Sequence, residues 1–259
     1  MSGAAGFKDH FSGHSGGYAR ARPVYPESLF TWLAGLPRGR EAAWDCGTGT
    51  GQAARSLASR FRKVIATDAS ANQVAKADRT ANASEGGGML LYAAALAERA
   101  PLRNGSVDLI TVAQALHWFD FPAFFAEAAR VAKPGAVFAA WCYGNSRITP
   151  EVDAVYARLY KDIVGPYWPP ERAHVEDGYA GIPMPFAPIA GPAFAIEARW
   201  DMEEFIAYLD TWSAVQYYRK DKGADPIALV REEMARAWGN PAEQRLITWP
   251  LAVKAGRAG

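Results

Sequence analysis

Cysteine and histidine are scarce in this 259-residue chain, with two of the first and four of the second. Two cysteines exclude a disulfide framework, which small secreted folds build from several pairs. Cys46 and Cys142 read instead as buried free thiols near strand ends. The histidines are scattered, and His10 and His14 fall in a Gly/Ser-rich tail, so no metal site is expected. No apolar run reaches the roughly 18 residues of a membrane span, and the N-terminus lacks the charged–apolar–small order of a secretory signal. A cytoplasmic protein without membrane contact is expected. Excess charge is missing too. Lys+Arg at 28 against Asp+Glu at 27 gives a formal charge of +1, which argues against nucleic acid as the main partner.

Apolar material is plentiful. Half the residues are hydrophobic, enough for the full core of one large domain or of a domain with an appendage. The most informative stretch is Ala42–Ser56, AAWDCGTGTGQAARS. A short apolar run closes on Asp45 and Cys46. Glycines follow at alternate positions, Gly47, Gly49 and Gly51, and then a small-residue stretch with Ala53, Ala54, Leu57, Ala58 and Phe61 at helical spacing. Strand, glycine turn and helix in that order open a nucleotide-binding crossover. Dinucleotides and S-adenosylmethionine both use such a turn. An acid beside it would repel a pyrophosphate and suits the sulfonium and ammonium of S-adenosylmethionine, so Asp45 favours the second cofactor. A nicotinamide-dependent oxidoreductase and a non-catalytic cofactor-binding module are the competing readings.

The rest of the chain supplies the alternation of a parallel sheet. Strands are expected at Lys63–Thr67, ending at Asp68, then at Met89–Tyr92, Ser106–Val112, Ala136–Cys142, Phe194–Arg199 and Arg245–Val253. Helices are expected after Pro26 and at Ser70–Thr80, Phe121–Ala132, Glu151–Val164, Met202–Trp212 and Pro226–Trp238. Asp68 follows Gly47 by about twenty residues, the distance at which an acid meets ribose hydroxyls; its bland alternative is a helix N-cap. Residues 165–192 are rich in Pro, Gly and aromatics, poor material for helix or strand, and read as a lid and substrate-recognition insert. The expected organisation is a flexible tail at 1–17, a cofactor-binding core at 18–145, a lid insert at 146–192 and a C-terminal part of the core at 193–259.

The string Asp45-x-Gly47-x-Gly49-x-Gly51 resembles the first motif of class I S-adenosylmethionine-dependent methyltransferases. Gln114-Ala-Leu-His117-Trp118-Phe-Asp120 closely resembles a "type 11" subgroup that includes trans-aconitate methyltransferases, some of which act on small acids. The resemblance implies a Rossmann-like, doubly wound, seven-stranded, mostly parallel sheet with an antiparallel last strand. It also implies in-line methyl transfer to a small molecule, possibly at a carboxylate. Tyr18–Pro26 resembles a segment that packs over the cofactor in that group, which makes Tyr18 and Arg22 candidates for its carboxylate; a surface loop is the alternative. Asp45, Gly47, Gly49, Gly51, Asp68 and Ala69 would hold the cofactor, with Ala97 and Glu98 beside the adenine and Gln114 near the methionine part. His117 and Trp118 would line the transfer cleft, His117 being also a candidate for proton transfer, as is a tyrosine, unless His117 is a structural imidazole. Tyr143, Trp168, Trp212 and Tyr217 are candidate aromatic walls for which core packing competes, and Arg147 could meet an acidic substrate. A monomer or homodimer is expected.

Overall fold

A computed structural model describes residues 23–77 and 88–259. The tail, Tyr18 and Arg22 therefore lie outside the described residues. Helix α1 (Glu27–Gly35) precedes β1 (Ala43–Cys46), α2 (Gln52–Ala58), β2 (Lys63–Asp68), α3 (Ala71–Ala75) and β3 (Met89–Ala94). Next come β4 (Val107–Ala113), a 3₁₀ turn at Leu116–Trp118, α4 (Phe121–Val131) and β5 (Ala132–Tyr143). The second half holds α5 (Pro150–Ala157), α6 (Arg172–Glu176), β6 (Ala187–Ile189), β7 (Phe194–Trp200), α7 (Met202–Asp210), α8 (Ser213–Lys222), α9 (Arg231–Trp238) and β8 (Arg245–Arg257).

The sheet runs β3-β2-β1-β4-β5-β8-β6, and β7 also pairs with β8. Strands β1 to β5 are parallel and β8 is antiparallel to β5. Thr248 pairs with Glu197 of β7 on one side and bridges to Arg147, just past β5, on the other. Strands β6 and β7 thus share one edge of β8, and eight strand segments fill seven positions of the expected Rossmann-like order. The chain winds from β1 out to β3 and restarts in the opposite direction at β4. That reversal opens a crevice at the carboxyl ends of β1 and β4, where open α/β sheets collect ligands.

Every residue of β1 is buried, as a strand with parallel neighbours on both sides requires. Alternation then splits the core in two. Trp44 faces α4, with its ring 6.2 Å from Phe124, while Trp141 of β5 faces the other side, 5.6 Å from Tyr25 and 6.1 Å from Phe30. The insert belongs to both halves. Tyr156, Leu159 and Tyr160 are buried in the core on the Trp141 side, and Val175, Tyr179 and Ile182 in the core on the Trp44 side. The intervening residues therefore cross over the sheet, and contacts of Tyr179 with His117 and of Val175 with Cys142 put the crossing at the carboxyl ends of β4 and β5.

Several elements depart from expectation. The helix expected at Glu151–Val164 is α-helical only to Ala157. Arg158–Ile163 widens into a π turn in which the Val164 N–H donates back five residues to Leu159. The Tyr160 carbonyl then accepts the Trp168 indole N–H at 3.2 Å. Strand β8 runs past Val253 because its Gly/Ala tail pairs through backbone with β5, which needs no apolar pattern. Helix α8 starts at Ser213 without any strong apolar periodicity, and α9 starts only after the turn at 226–230.

Candidate active site

The glycine turn leaves β1 with Gly47, Gly49 and Gly51 all at positive φ (68°, 55° and 86°), where L side chains are strained. Their surroundings differ. A Cβ on Gly47 would lie 2.6 Å from Ala115 Cβ, and one on Gly51 would lie 2.1 Å from the Tyr92 hydroxyl. Among the described residues, Gly49 has nothing within 4 Å of that position. The outer glycines are thus required by packing, and the middle one presents bare backbone to open space. The half-buried Asp68 carboxylate accepts the Gly49 N–H and the Ser70 N–H, each at 2.8 Å. The N-cap of α3 is Ser70. Asp68 instead ties the end of β2 to the glycine turn, with Ala69 half-buried beside it. An acid at the end of β2, bordering an uncovered backbone, suits a ribose diol.

Asp45 does not face this space. It is fully buried, and its two oxygens accept the hydroxyls of Thr48 at 2.6 Å and Thr111 at 2.7 Å. Burial pushes its carboxyl up to about 6 against the pull of those hydroxyls. The expected direct contact with a cofactor cation is therefore corrected: a side chain with no exposed surface and both oxygens occupied locks the turn from beneath.

On the β4 side, Gln114 holds a left-handed backbone at φ 55°. Its amide donates to the Tyr143 carbonyl at 3.1 Å and accepts the Tyr143 N–H at 2.9 Å, clasping β4 to β5. The side chain is thus occupied by backbone, so the approach to a methionine moiety would be made by the main chain around it. His117 is buried, with Nδ1 3.0 Å from the Tyr179 hydroxyl and its ring 4.8 Å from that of Trp118. Tyr179 is the other non-glycine residue at positive φ (63°) among the described residues. Such strain costs on the order of 1–3 kcal/mol and persists where surroundings enforce it. Here Lys254 enforces it, its ammonium donating to the carbonyls of Tyr179 at 2.9 Å and Ile182 at 2.7 Å. Burial, aided by Arg172 and His174, pushes His117 down to about 3. The imidazole is neutral at physiological pH and a weak base.

The remaining expected residues divide. Ala97 is buried in the α4-side core, and Glu98 accepts the Asp120 N–H at 3.1 Å, linking the loop after β3 to the start of α4. Tyr143 ends β5, its ring 6.3 Å from Tyr25. Trp168 packs 5.0 Å from Tyr160 and 5.4 Å from Trp212. Trp212 is buried among Tyr156, Tyr160, Trp168 and Tyr208, so it is a wall only through Trp168. Tyr217 is half-buried on α8. Arg147 pairs through backbone with Thr248 at the sheet edge. The thiols of Cys46 and Cys142 are buried and pushed upward by burial, Cys142 to about 12, so neither is a nucleophile. Tyr179, Lys254 and Arg172 carry no motif and were not foreseen; the only signal at Tyr179 is the preceding Gly178 in a loop-like stretch.

Residues 44–140 match the methyltransferase domain family Methyltransf_11. A methyltransferase-family protein of Dictyostelium discoideum is 33% identical over 236 residues, covering 90% of this chain and 87% of that one. A solved structure from Anaeromyxobacter dehalogenans, described as a type II methyltransferase, shares 47% identity with a TM-score of 0.83, covering 91% of this chain and 97% of that one. The S-adenosylmethionine-dependent methyltransferase CRG1 of Saccharomyces cerevisiae is 28% identical over 170 residues, 63% of this chain and 58% of that protein. Likeness along nine-tenths of the chain decides between the two cofactors that the glycine turn could take, since the open Gly49 backbone bordered by Asp68 would suit either: the chain belongs to the S-adenosylmethionine-dependent methyltransferase family.

Proposed function

We propose that this chain transfers a methyl group to an oxygen nucleophile of a small organic acid, seated at the carboxyl ends of β4 and β5 beneath the insert. S-adenosylmethionine supplies a methyl already activated by its sulfonium. Asp68 and the Gly49 backbone would hold the ribose, Ala69, Ala97 and Glu98 would border the adenine, and Tyr18 and Arg22 would reach the cofactor's carboxylate. Gly47 and Gly51 keep the turn in shape, and Asp45 secures it from below. The observation that carries the reading is the Gly49 turn, which no described residue covers and whose N–H donates to the Asp68 carboxylate at 2.8 Å.

On the acceptor side, orientation can supply roughly 7–11 kcal/mol of the barrier once a nucleophile stands in line behind the methyl. His117, Trp118, Tyr143 and the insert residue Trp168 would set that line and exclude water. A neutral His117 is too weak a base to strip a hydroxyl efficiently. The reading therefore favours an oxygen already ionised near pH 7, such as a carboxylate, with His117 orienting it through its pairing with Tyr179. This agrees with the resemblance to methyltransferases of small acids. Action as a monomer or homodimer in the cytoplasm, without nucleic acid or membrane, completes the proposal. No helix among the described residues is long and apolar enough to cross a membrane.

Calorimetry on the full chain tests the cofactor half: S-adenosylhomocysteine binds one to one and NAD does not. Methyl-labelled donor offered with a panel of small acids tests the catalytic half. Binding without any turnover would favour the non-catalytic module.

A further inference from the structure

One half-buried arginine near the site makes no direct ion pair among the described residues. Arg172 lies at the start of α6, half-buried on an open groove of about 410 Å³ lined also by Tyr160, Lys161, Trp168, Pro169, Pro170 and Glu176. Its guanidinium carbon stands 4.8 Å from the centre of the Trp168 ring and 5.5 Å from that of Tyr160. Nε donates to the Tyr160 hydroxyl at 2.9 Å, and that hydroxyl donates to Glu176 at 2.5 Å. Among the described residues no carboxylate comes within ion-pair distance of Arg172; Arg60, Arg130, Arg219 and Arg245 each have one, and the half-buried Arg55 and Arg257, which have none, donate to backbone carbonyls instead. Stacking against rings engages the guanidinium face and leaves its terminal fork, the pair of N–H-bearing nitrogens that suits a carboxylate. Helix α6 abuts the site: the Val175 carbonyl lies 3.9 Å from Cys142 Sγ at the end of β5, and the His174 ring 5.3 Å from Phe121 at the start of α4.

We propose that Arg172 is the anchor for a carboxylate on a planar, apolar acceptor that stacks on Trp168, and that this carboxylate is not the group methylated. A fork that engages both oxygens withdraws the charge a nucleophile needs, and a guanidinium at the transfer point would repel the sulfonium. The acceptor thus carries two groups: an anionic handle held at α6 and a separate nucleophile presented toward His117. This rests on the methyl-transfer reading above, and sequence alone pointed to Arg22 and Arg147 for this task. The groove has the volume of a small-molecule site, at the lower end of the usual range.

The test uses the full chain saturated with S-adenosylhomocysteine and matched probes: benzoate and cinnamate against their neutral amides, with phenyl phosphate as a second anion. Calorimetry is expected to show the carboxylates binding at least about tenfold tighter than their amides, the gain of one charge-assisted fork. The preference should vanish in Arg172→Gln and shrink in Arg172→Lys, which keeps the charge without the fork. Trp168→Leu should weaken acids and amides alike. S-adenosylhomocysteine affinity should stay within about twofold in all three variants, which also certifies their folding. Should Arg172→Gln not fold, the loss of preference in Arg172→Lys decides. Equal binding of acid and amide, phenyl phosphate outcompeting both carboxylates, no acid binding by about 20 mM, or a preference that survives at Arg172→Lys undiminished, each overturns the anchor. Failure of S-adenosylhomocysteine to bind the unsubstituted chain would sink the methyl-transfer reading instead.

Discussion

The two sides of the crevice are built from different materials. On the β1–β2 side the groups are backbone amides and short acids: Gly49 N–H on Asp68, Ser70 N–H on Asp68, and Asp45 locked by Thr48 and Thr111. All lie within one turn of a strand end. On the β4–β5 side the groups are rings and long cations from the second half of the chain: Tyr179 against His117, Lys254 on Tyr179, and Trp212 behind Trp168. A site of the first kind accommodates one ligand shape and tolerates little change. A site of the second kind can be re-lined without disturbing the first. The contrast suits a family in which the donor is constant and the acceptor varies.

Substitutions can break or sharpen this division. Gly47→Ala should cost the most, about 2–5 kcal/mol of folding stability in urea titration. It combines a strained φ with a Cβ 2.6 Å from that of Ala115. Asp68→Ala comes next: S-adenosylhomocysteine affinity should fall at least about thirtyfold by calorimetry, with acceptor selectivity among bound probes unchanged. An unaltered affinity would remove Asp68 from the cofactor site. Lys254→Met should act on the opposite side alone. Releasing the strained Tyr179 turn should raise the acceptor KM several-fold and cost about 1–3 kcal/mol of stability, while cofactor affinity stays put. Equal damage to both ligands would mean that the two sides are not separable.

The smallest effect is a pH dependence. His117 stays neutral in the native chain down to about 3, whereas the unfolded side chain takes a proton near 6.5. Stability is fully present above that unfolded value and drains as the pH falls, by about 1 kcal/mol between pH 6.5 and 5.5. Asp45 acts in the reverse sense: held up at about 6, it keeps a proton the unfolded chain releases near 4, so its contribution shrinks as pH rises through that window. His117→Gln should therefore lose less stability than the unsubstituted chain on going from pH 7 to 5.5. An identical loss would show that His117 is not the buried neutral group described.

The same division explains what could be read from residues alone. The glycine turn was legible because positive φ at alternate positions leaves a local imprint that few other arrangements share. The alternation of strands and helices was legible as a parallel sheet, while its doubly wound form and antiparallel last strand came from the family resemblance. Asp45 was legible as part of the turn but not in its direction, since two threonine hydroxyls, one of them 66 positions away, decide which way it points. The insert was illegible for a related reason. Pro and Gly argued for an irregular lid at 165–192, yet Val175 and Tyr179 there are core residues held without periodic spacing, whereas Tyr156 and Tyr160, four apart in the helix expected at Glu151–Val164, are buried as helical spacing requires. Arg172 stayed invisible because a lone arginine signals nothing until its missing partner is seen.

Crystals grown with S-adenosylhomocysteine would test the central claim most directly. The ribose hydroxyls are expected on the Asp68 carboxylate, with the nucleoside passing over Gly49 and the sulfur turned toward His117 and Trp118. A ribose that avoids Asp68, or S-adenosylhomocysteine lodged in the groove at Arg172 instead, would contradict the account.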